Sequence, residues 1–376
     1  MEADVAVIGL GAMGAMAMWR LAERGASVVG FDQFDPPHAR GSSHGESRIF
    51  RLSAYDGPFY VPLATAANRL WDELGSEAGM PLLVRTGLLE IDRVGDSLGE
   101  IARAGLRKHR VPFEEFPSSE ARSRFAARHF AADERCLVDP AGGFVRPELA
   151  ISSALALAEA RGATIRRNTR VDAVSGNTKH AEIRAGNDVY TVRHVINATG
   201  GWIGDLLPGL RPHVQVERRV QVWLEIVEPE LFTPDNFPVF IHRLAENRST
   251  YGFPSLDGRT VKIGAHHEGA VSAHPDDIDR RVTPADADAV VNYAINHLLG
   301  VTSHVVRTAL CFYPSATDGH FVVGQLPGQP WQTIIGATSG HGFKFATALG
   351  DIAADLGLRG ETDLPIDRFR PDRLLA

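Results

Sequence analysis

Cysteine is almost missing from this chain. Two residues in 376, Cys136 and Cys311, cannot build a disulfide framework, so a reducing compartment is the default expectation. Long apolar runs are missing too, and no window approaches the roughly 18 uninterrupted apolar residues of a membrane span. The opening MEADVAVIGLG carries Glu2 and Asp4 where a secretory leader would be basic, and no small-residue cleavage site follows. The closing RLLA is not a peroxisomal address of the Ser-Lys-Leu type. Basic charge is in deficit: the net charge is −7, which argues against nucleic acid, because phosphate binding needs a basic face. Repeats, low-complexity tracts and Pro/Gly/Ser-rich linkers are absent as well. The default expectation from these absences is a cytoplasmic protein with no nucleic-acid or membrane partner. Its 44% hydrophobic and 23% charged content are those of an ordinary globular chain, long enough for about two domains.

The first thirty-odd residues read as one βαβ unit. Asp4 to Ile8 is an apolar run of strand length, followed by Gly9, Gly11 and Gly14 in G-x-G-x-x-G spacing. A helix runs on to a C-cap at Gly25, and a second apolar strand, Ser27 to Phe31, ends at Asp32. Gly9 permits the tight turn, Gly11 lets backbone approach a pyrophosphate, and Gly14 lets helix and strand pack closely. The helix N-terminus supplies free N–H groups to phosphates, and Asp32 stands where a ribose-binding acid is expected. The triplet alone is weak, but with strand, helix and acid in place it is a strong dinucleotide signal. It does not choose between NAD and FAD. Met13, Met16 and Met18 read as packing residues of the helix.

Helical spacing recurs at YVPLATAANRLWDELGSEAG and ELAISSALALAEARG. TGLLEI reads as a short strand, ATIRRNTRVDAV alternates like a single strand, and DVYTVRHVINATGGW is a strand entering a glycine turn. The stretch 213–282 is mostly strand-like, with an Asp-Gly turn inside YGFPSLDGRTVKIG. Thr283, Pro284 and Asp286 start a helix that Gly300 closes. The interleaving suggests an α/β nucleotide-binding domain interrupted twice by a mainly antiparallel second domain. Its parts are expected at 1–84, 143–214 and 315–376, with the second domain at 85–142 and 215–314.

GSSHGESRIFR raises a sharper question, since Arg48 and Arg51 stand close together in an acidic protein. Taken singly, such residues are usually solvated surface charges, as Lys262 and Lys344 would be. A lone Cys311 in a core strand is ordinarily a buried small hydrophobe, and so is Cys136. His266 and His267 are adjacent, but no carboxylate or cysteine cluster accompanies them at ligand spacing, so no metal site is expected. Trp202, after NATGG, reads as a packing aromatic.

In order along the chain stand GLGAMG, FDQFDPPHARGSSHGESRIFR, YVPL, TYGFPS…VKIGAHH, RTALCFYPSATDGHF and GATSGHGFKF. Together these resemble the monomeric sarcosine oxidase and N-methyltryptophan oxidase family of FAD-dependent amine oxidases, nearly from end to end. The resemblance implies a glutathione-reductase-like Rossmann fold for FAD, joined to an antiparallel β substrate domain, in a monomer. It implies oxidation of a carboxylate-bearing secondary amine to an imine, with O2 reduced to hydrogen peroxide. Sarcosine or another N-substituted amino acid heads the substrates; fructosyl amino acids, N-methyltryptophan and pipecolate are alternatives.

The resemblance also distributes roles. Arg51 with Lys344 would hold the substrate carboxylate, as a guanidinium fork and a second cation can. Arg48 would lie by the flavin ring and favour its reduced form, and Lys262 would lie over the flavin where oxygen reacts. Tyr251, His266, Tyr313 and His341 would line the pocket, His266 influencing the amine's protonation. Cofactor contacts are implied for Gly9, Gly11, Ala12, Met13, Gly14, Asp32, Ser43, His44, Arg48, Val171, Gly340, Gly342 and Lys344. Cys311 matches the cysteine that carries flavin as an 8α-thioether, although Pro314 replaces the threonine usual after the tyrosine. The loop VFIHRLAENRSTYGF carries Arg243, Glu246 and Arg248, charges that would suit a larger, polar substrate. Rival readings are a flavin dehydrogenase with another acceptor, a non-catalytic FAD protein and an NAD-dependent dehydrogenase.

Overall fold

The strand Ala3–Ile8, the helix Ala12–Glu23 and the strand Val28–Phe31 form the opening βαβ unit. The helix is built of Ala, Met and Leu, good helix formers, and is buried from Ala12 to Ala22 apart from Met13. It packs between the helices Pro147–Ala160 and Ala346–Arg359. The computed structural model describes residues 2–245, 248–266 and 269–375; Glu246 and His267 lie outside the described residues.

An eight-stranded sheet grows from this unit. Ala3–Ile8 pairs in parallel with Val28–Phe31 on one edge and with Asp188–Asn197 on the other; Thr164–Arg166 adds a further parallel strand beside Val28–Phe31. The far edge of Asp188–Asn197 is shared. Residues 188–192 pair antiparallel with Ala181–Ala185, while residues 195–197 pair in parallel with Gln329–Gly336. ATIRRNTRVDAV is not one strand. It splits into Thr164–Arg166 and Ala173–Gly176, which join opposite ends of the sheet. The break passes through Asn168 at φ 53°, a left-handed conformation that asparagine tolerates better than most residues.

A second sheet of nine strands runs Val271–Ser272, Val214–Ile226, Thr260–His266, Arg248–Gly252, Val239–Ala245, Leu88–Arg93, Glu134–Asp139, Glu114–Pro117. Val301–Ala316 covers the other edge of Val214–Ile226. All pairs are antiparallel except Val239–Ala245 with Leu88–Arg93. A small sheet of Arg48–Phe50, Gly143–Val145 and Leu83–Arg85 stands apart from both. The expected helix start at Thr283 is a capping box with Asp286 on a short 3-10 turn, and the helix proper is Asp288–His297.

Candidate active site

A cleft of about 1980 Å³, its solvent-open mouth included, runs from the opening βαβ turn to one face of the nine-stranded sheet. At its nucleotide end, Gly9 has φ 87°, and a side chain there would meet Ala198 O at 2.6 Å. A methyl group on Gly14 would stand 1.8 Å from Gly9 O, so this glycine serves the turn's own packing rather than the cleft. Gly11 caps the helix, and among the described residues beyond its chain neighbours the place of its missing side chain meets Ser43 Oγ alone, at 3.6 Å. That serine accepts from Ala12 N at 3.3 Å. Asp32 is fixed on the wall by accepting from Leu10 N and Phe34 N, each at 2.8 Å.

Strand register assembles the opposite wall. Trp223 pairs with Lys262, Gln221 with Gly264, Arg219 with Cys311, Glu217 with Tyr313, Tyr251 with Gly264, and Ser249 with His266. Opposed residues share a face, and so do alternate residues of one strand. Lys262, His266, Tyr251, Ser249, Gln221, Cys311 and Tyr313 therefore stand on a single face. Burial pushes the Tyr251 and Tyr313 phenols up, so both are neutral donors. The His266 and Tyr313 rings lie 5.6 Å apart.

Two cationic centres border the cleft. In the first, Lys262 Nζ donates to Gly45 O at 2.6 Å, Ser47 O at 2.8 Å and Ser47 Oγ at 3.1 Å. Burial, then the Arg48 charge, holds its pKa well below the usual lysine range. Arg48 donates to Ser47 O at 2.9 Å and Ser42 O at 2.8 Å. In the second centre, Arg51 and Lys344 both donate to Ser53 O, Lys344 at 3.2 Å. Arg51 stacks on Tyr55 at 3.9 Å and lies 3.5 Å from Asp56 Oδ2. Burial and the Arg51 charge push Lys344 well down. Burial alone would raise Asp56, but His341, Arg51 and Lys344 together bring it down to about 2. His341 itself is pushed down by burial and directs Nε2 to Gly319 O at 3.3 Å.

Of the residues singled out in the sequence, Gly9, Gly11, Ala12, Met13, Asp32, Ser43, Arg48, Arg51, Val171, Tyr251, Lys262, His266, Tyr313, Gly340, His341, Gly342 and Lys344 line the cleft. His44 and Cys311 do not line it. His44 is buried beside it, its Nε2 without a partner among the described residues and its pKa lowered by burial to about 4. Cys311 lies behind Gln221, whose Nε2 is 3.3 Å from Sγ. Arg243 departs from the expectation of a charged substrate loop. It stands on the strand Val239–Ala245, buried, and its charge is taken up by Asp92 at 2.9 Å, Asp96 at 3.1 Å and Glu90 at 3.4 Å. Arg248 is exposed.

Residues missed by sequence reasoning include Gln221, Tyr55, Asp56, Ile49, Ile241 and Phe253. Gln221 and Ile241 were findable in principle, since their strands alternate, but alternation does not say which face meets a cleft. The glutamine leaves Oε1 buried without a partner among the described residues.

The donor set fits FAD. A helix that starts on a cap without a side chain, Gly11, and the fixed Asp32 carboxylate suit a dinucleotide. The cations and the orphaned Gln221 amide oxygen suit the edge of a polar ring system.

The family model described as FAD dependent oxidoreductase matches residues 4–356. Monomeric sarcosine oxidase of Streptomyces avermitilis is 35% identical over 99% of this chain and 98% of its own length. N-methyl-L-tryptophan oxidase of Escherichia coli is 31% identical, with 99% and 100% covered. Among solved structures, NikD, an amino acid oxidase of nikkomycin biosynthesis, superposes with a TM-score of 0.85 at 24% identity, covering 98% and 97%.

Proposed function

Because the chain belongs to the family of FAD-dependent oxidoreductases, we propose that it oxidises a secondary amine bearing a carboxylate, with O2 as electron acceptor. The observation that carries this reading is the second cationic centre: Arg51 and Lys344, both buried, line the cleft and converge on Ser53 O. Paired cations beside an apolar pocket suit a carboxylate, which takes charge-assisted hydrogen bonds from both. In the overall reaction the amine loses two electrons and two protons to become an imine, and O2 gains them as hydrogen peroxide; water then hydrolyses the imine. FAD, when bound, supplies the two-electron redox chemistry.

The chain's own groups would hold FAD at the Gly9–Gly14 turn, Asp32, Ser43, Arg48, Val171 and the Gly340–Gly342 segment. His44 would support this set from just behind the wall. Arg51 and Lys344 orient the substrate, which converts an encounter into a positioned reaction. Tyr251, Tyr313, Ile49, Ile241 and Phe253 give the pocket an aromatic and aliphatic lining. With Arg243 sequestered, that lining favours a small or apolar N-substituted amino acid over a sugar-bearing one. His266 and His341 line the cleft and would serve as bases for the amine's proton, since only the neutral amine has a lone pair to give up. Lys262 would place a fixed positive charge where electrons pass to oxygen.

Residues 1–84, 143–214 and 315–376 would form the cofactor part and 85–142 and 215–314 the substrate part. The two large sheets divide along these limits, to within two residues at the ends of Val214–Ile226 and Val301–Ala316. Cys311, one side chain behind the cleft wall, would carry the flavin covalently once Gln221 gives way. We place the enzyme in the cytoplasm as a monomer; among the described residues no helix is long and apolar enough to cross a membrane.

The test is anaerobic bleaching of the flavin spectrum by sarcosine, N-methyltryptophan, pipecolate, proline and fructosyl amino acids. Rapid bleaching by one of the first four supports the reading, and bleaching by none of the panel overturns it. Acid precipitation checks the attachment. Flavin should stay with the wild-type pellet and pass to the supernatant in Cys311→Ala; release from the wild type would remove the covalent bond.

A further inference from the structure

Glu46 is one of few non-glycine residues with a left-handed backbone, at φ 69°. Such a conformation persists in a side-chain-bearing residue only where the surroundings over-determine it. Here two sets of contacts do so. On the inner side, the Glu148 carboxylate accepts from Gly45 N at 2.6 Å and Glu46 N at 3.3 Å. On the outer side, the Glu46 carboxylate accepts from Trp223 Nε1 at 3.1 Å and pairs with Arg307. Arg307 in turn lies over the Trp223 ring at 4.0 Å, and Lys262 Nζ is 5.4 Å from that ring. The kink between these anchors turns the carbonyls of Gly45 and Ser47 to one point, the Lys262 ammonium.

We propose that Glu46 is a positioning residue for Lys262: clipped from outside by Trp223 and Arg307, it holds the kinked turn whose carbonyls form the ammonium's cage. A buried ammonium is tolerated only when its hydrogen bonds are made, and three protein oxygens make them here. If the clip opens, Gly45 O and Ser47 O swing away and the buried amine gives up its proton. The role in catalysis rests on the oxidase reading above, in which the charge of Lys262 assists electron transfer to oxygen.

The groups facing Lys262 are few. His44, Glu46 and Arg48 come from the turn, Glu148 from the helix Pro147–Ala160, and Cys311 from the strand Val301–Ala316. Asp257 borders the small cavity that Lys262 shares with Glu46 and Trp223. Arg48 opposes the charge of Lys262, and Glu46 and Glu148 support it. Replacing Glu46 therefore removes a supporting charge and a mechanical anchor together.

The chain offers a clean readout, because its only lysines are Lys108, Lys179, Lys262 and Lys344. In holoenzyme isotope-labelled at lysine Cε, NMR follows each ionisation, and Lys262→Met and Lys344→Met assign the two cleft signals. Glu46→Gln should move the Lys262 titration to lower pH and leave that of Lys344 unmoved, and Glu46→Asp should restore most of the shift. Arg307→Ala, at a half-exposed position, should act in the same direction more weakly, and it decides the matter if Glu46→Gln does not fold. An unchanged Lys262 titration, or equal movement of both cleft lysines, overturns the proposal. None of these readings requires substrate or oxygen. If the chain turns out not to use oxygen, the NMR shift remains while reoxidation rates lose their dependence on Glu46, so the two failures are distinct.

Discussion

Lys262 and Lys344 are both buried, 4% and 3% exposed, and both are pushed toward the neutral form. Their surroundings nevertheless differ in kind. Lys262 spends its three protons on three protein oxygens. Lys344 has one acceptor among the described residues, Ser53 O, and lies among Arg51, Asp56, Glu90 and Asp139. A saturated ammonium acts on its neighbours through its field, since a ligand can take its hydrogen bond only by breaking one already made. An unsaturated one keeps donors for an incoming anion. The same residue type thus serves as a fixed charge at one end of the cleft and as an open binding group at the other.

Substitutions can break this contrast. Lys262→Met should slow reoxidation by O2 by about a hundredfold, the scale of losing one preorganised electrostatic group, and leave reduction by substrate nearly untouched. Stopped-flow traces of the two half-reactions decide it, and equal slowing would assign Lys262 a merely structural part. Arg51→Ala should next weaken carboxylate substrates by about one to two orders of magnitude, the worth of charged hydrogen bonds. Titration of the flavin spectrum with a carboxylate inhibitor measures it; an unchanged affinity would empty the clamp of meaning. Lys344→Met should cost about tenfold by the same measure.

The smallest effect is in pH. Lys344 is a base with a depressed pKa, so its charge is present below that pKa and is lost as pH rises through it. Carboxylate affinity should follow this charge, falling on the alkaline side, and bound anion should draw a proton onto the lysine. Lys344→Arg, which stays charged, should carry that fall to higher pH. Lys262→Arg should rescue little, because a planar fork cannot satisfy a cage built around a compact ammonium.

Much of this arrangement can be read along the chain, though not evenly. The opening βαβ unit follows from local pattern, because the glycines, the helix formers and Asp32 are all neighbours in sequence. The strand VQVERRVQVWLEIV also declares itself by alternation and forms Val214–Ile226. What alternation omits is the partner. That Lys262 faces the same side as Cys311 depends on two strand registers spanning widely separated segments. The single strand read through residues 163–174 fails for a related reason, since the alternation continues across a turn that one asparagine makes. Arg51, Lys262 and Lys344 are singled out by family resemblance, since nothing local distinguishes a buried cation from a surface one. Arg243 shows the opposite error. A charge in a pocket loop suggests substrate, whereas three carboxylates from other parts of the chain claim it.

The distribution of the lysines has a practical side. Lys108 and Lys179 are exposed, one closing the helix Ser97–Lys108 and the other in the turn between Ala173–Gly176 and Ala181–Ala185. The remaining two lie inside the cleft. Amine-coupling reagents should therefore attach dyes or solid supports at these two side chains, both away from the cleft lining, and at the terminal α-amine, while the arginine-rich surface stays inert to them.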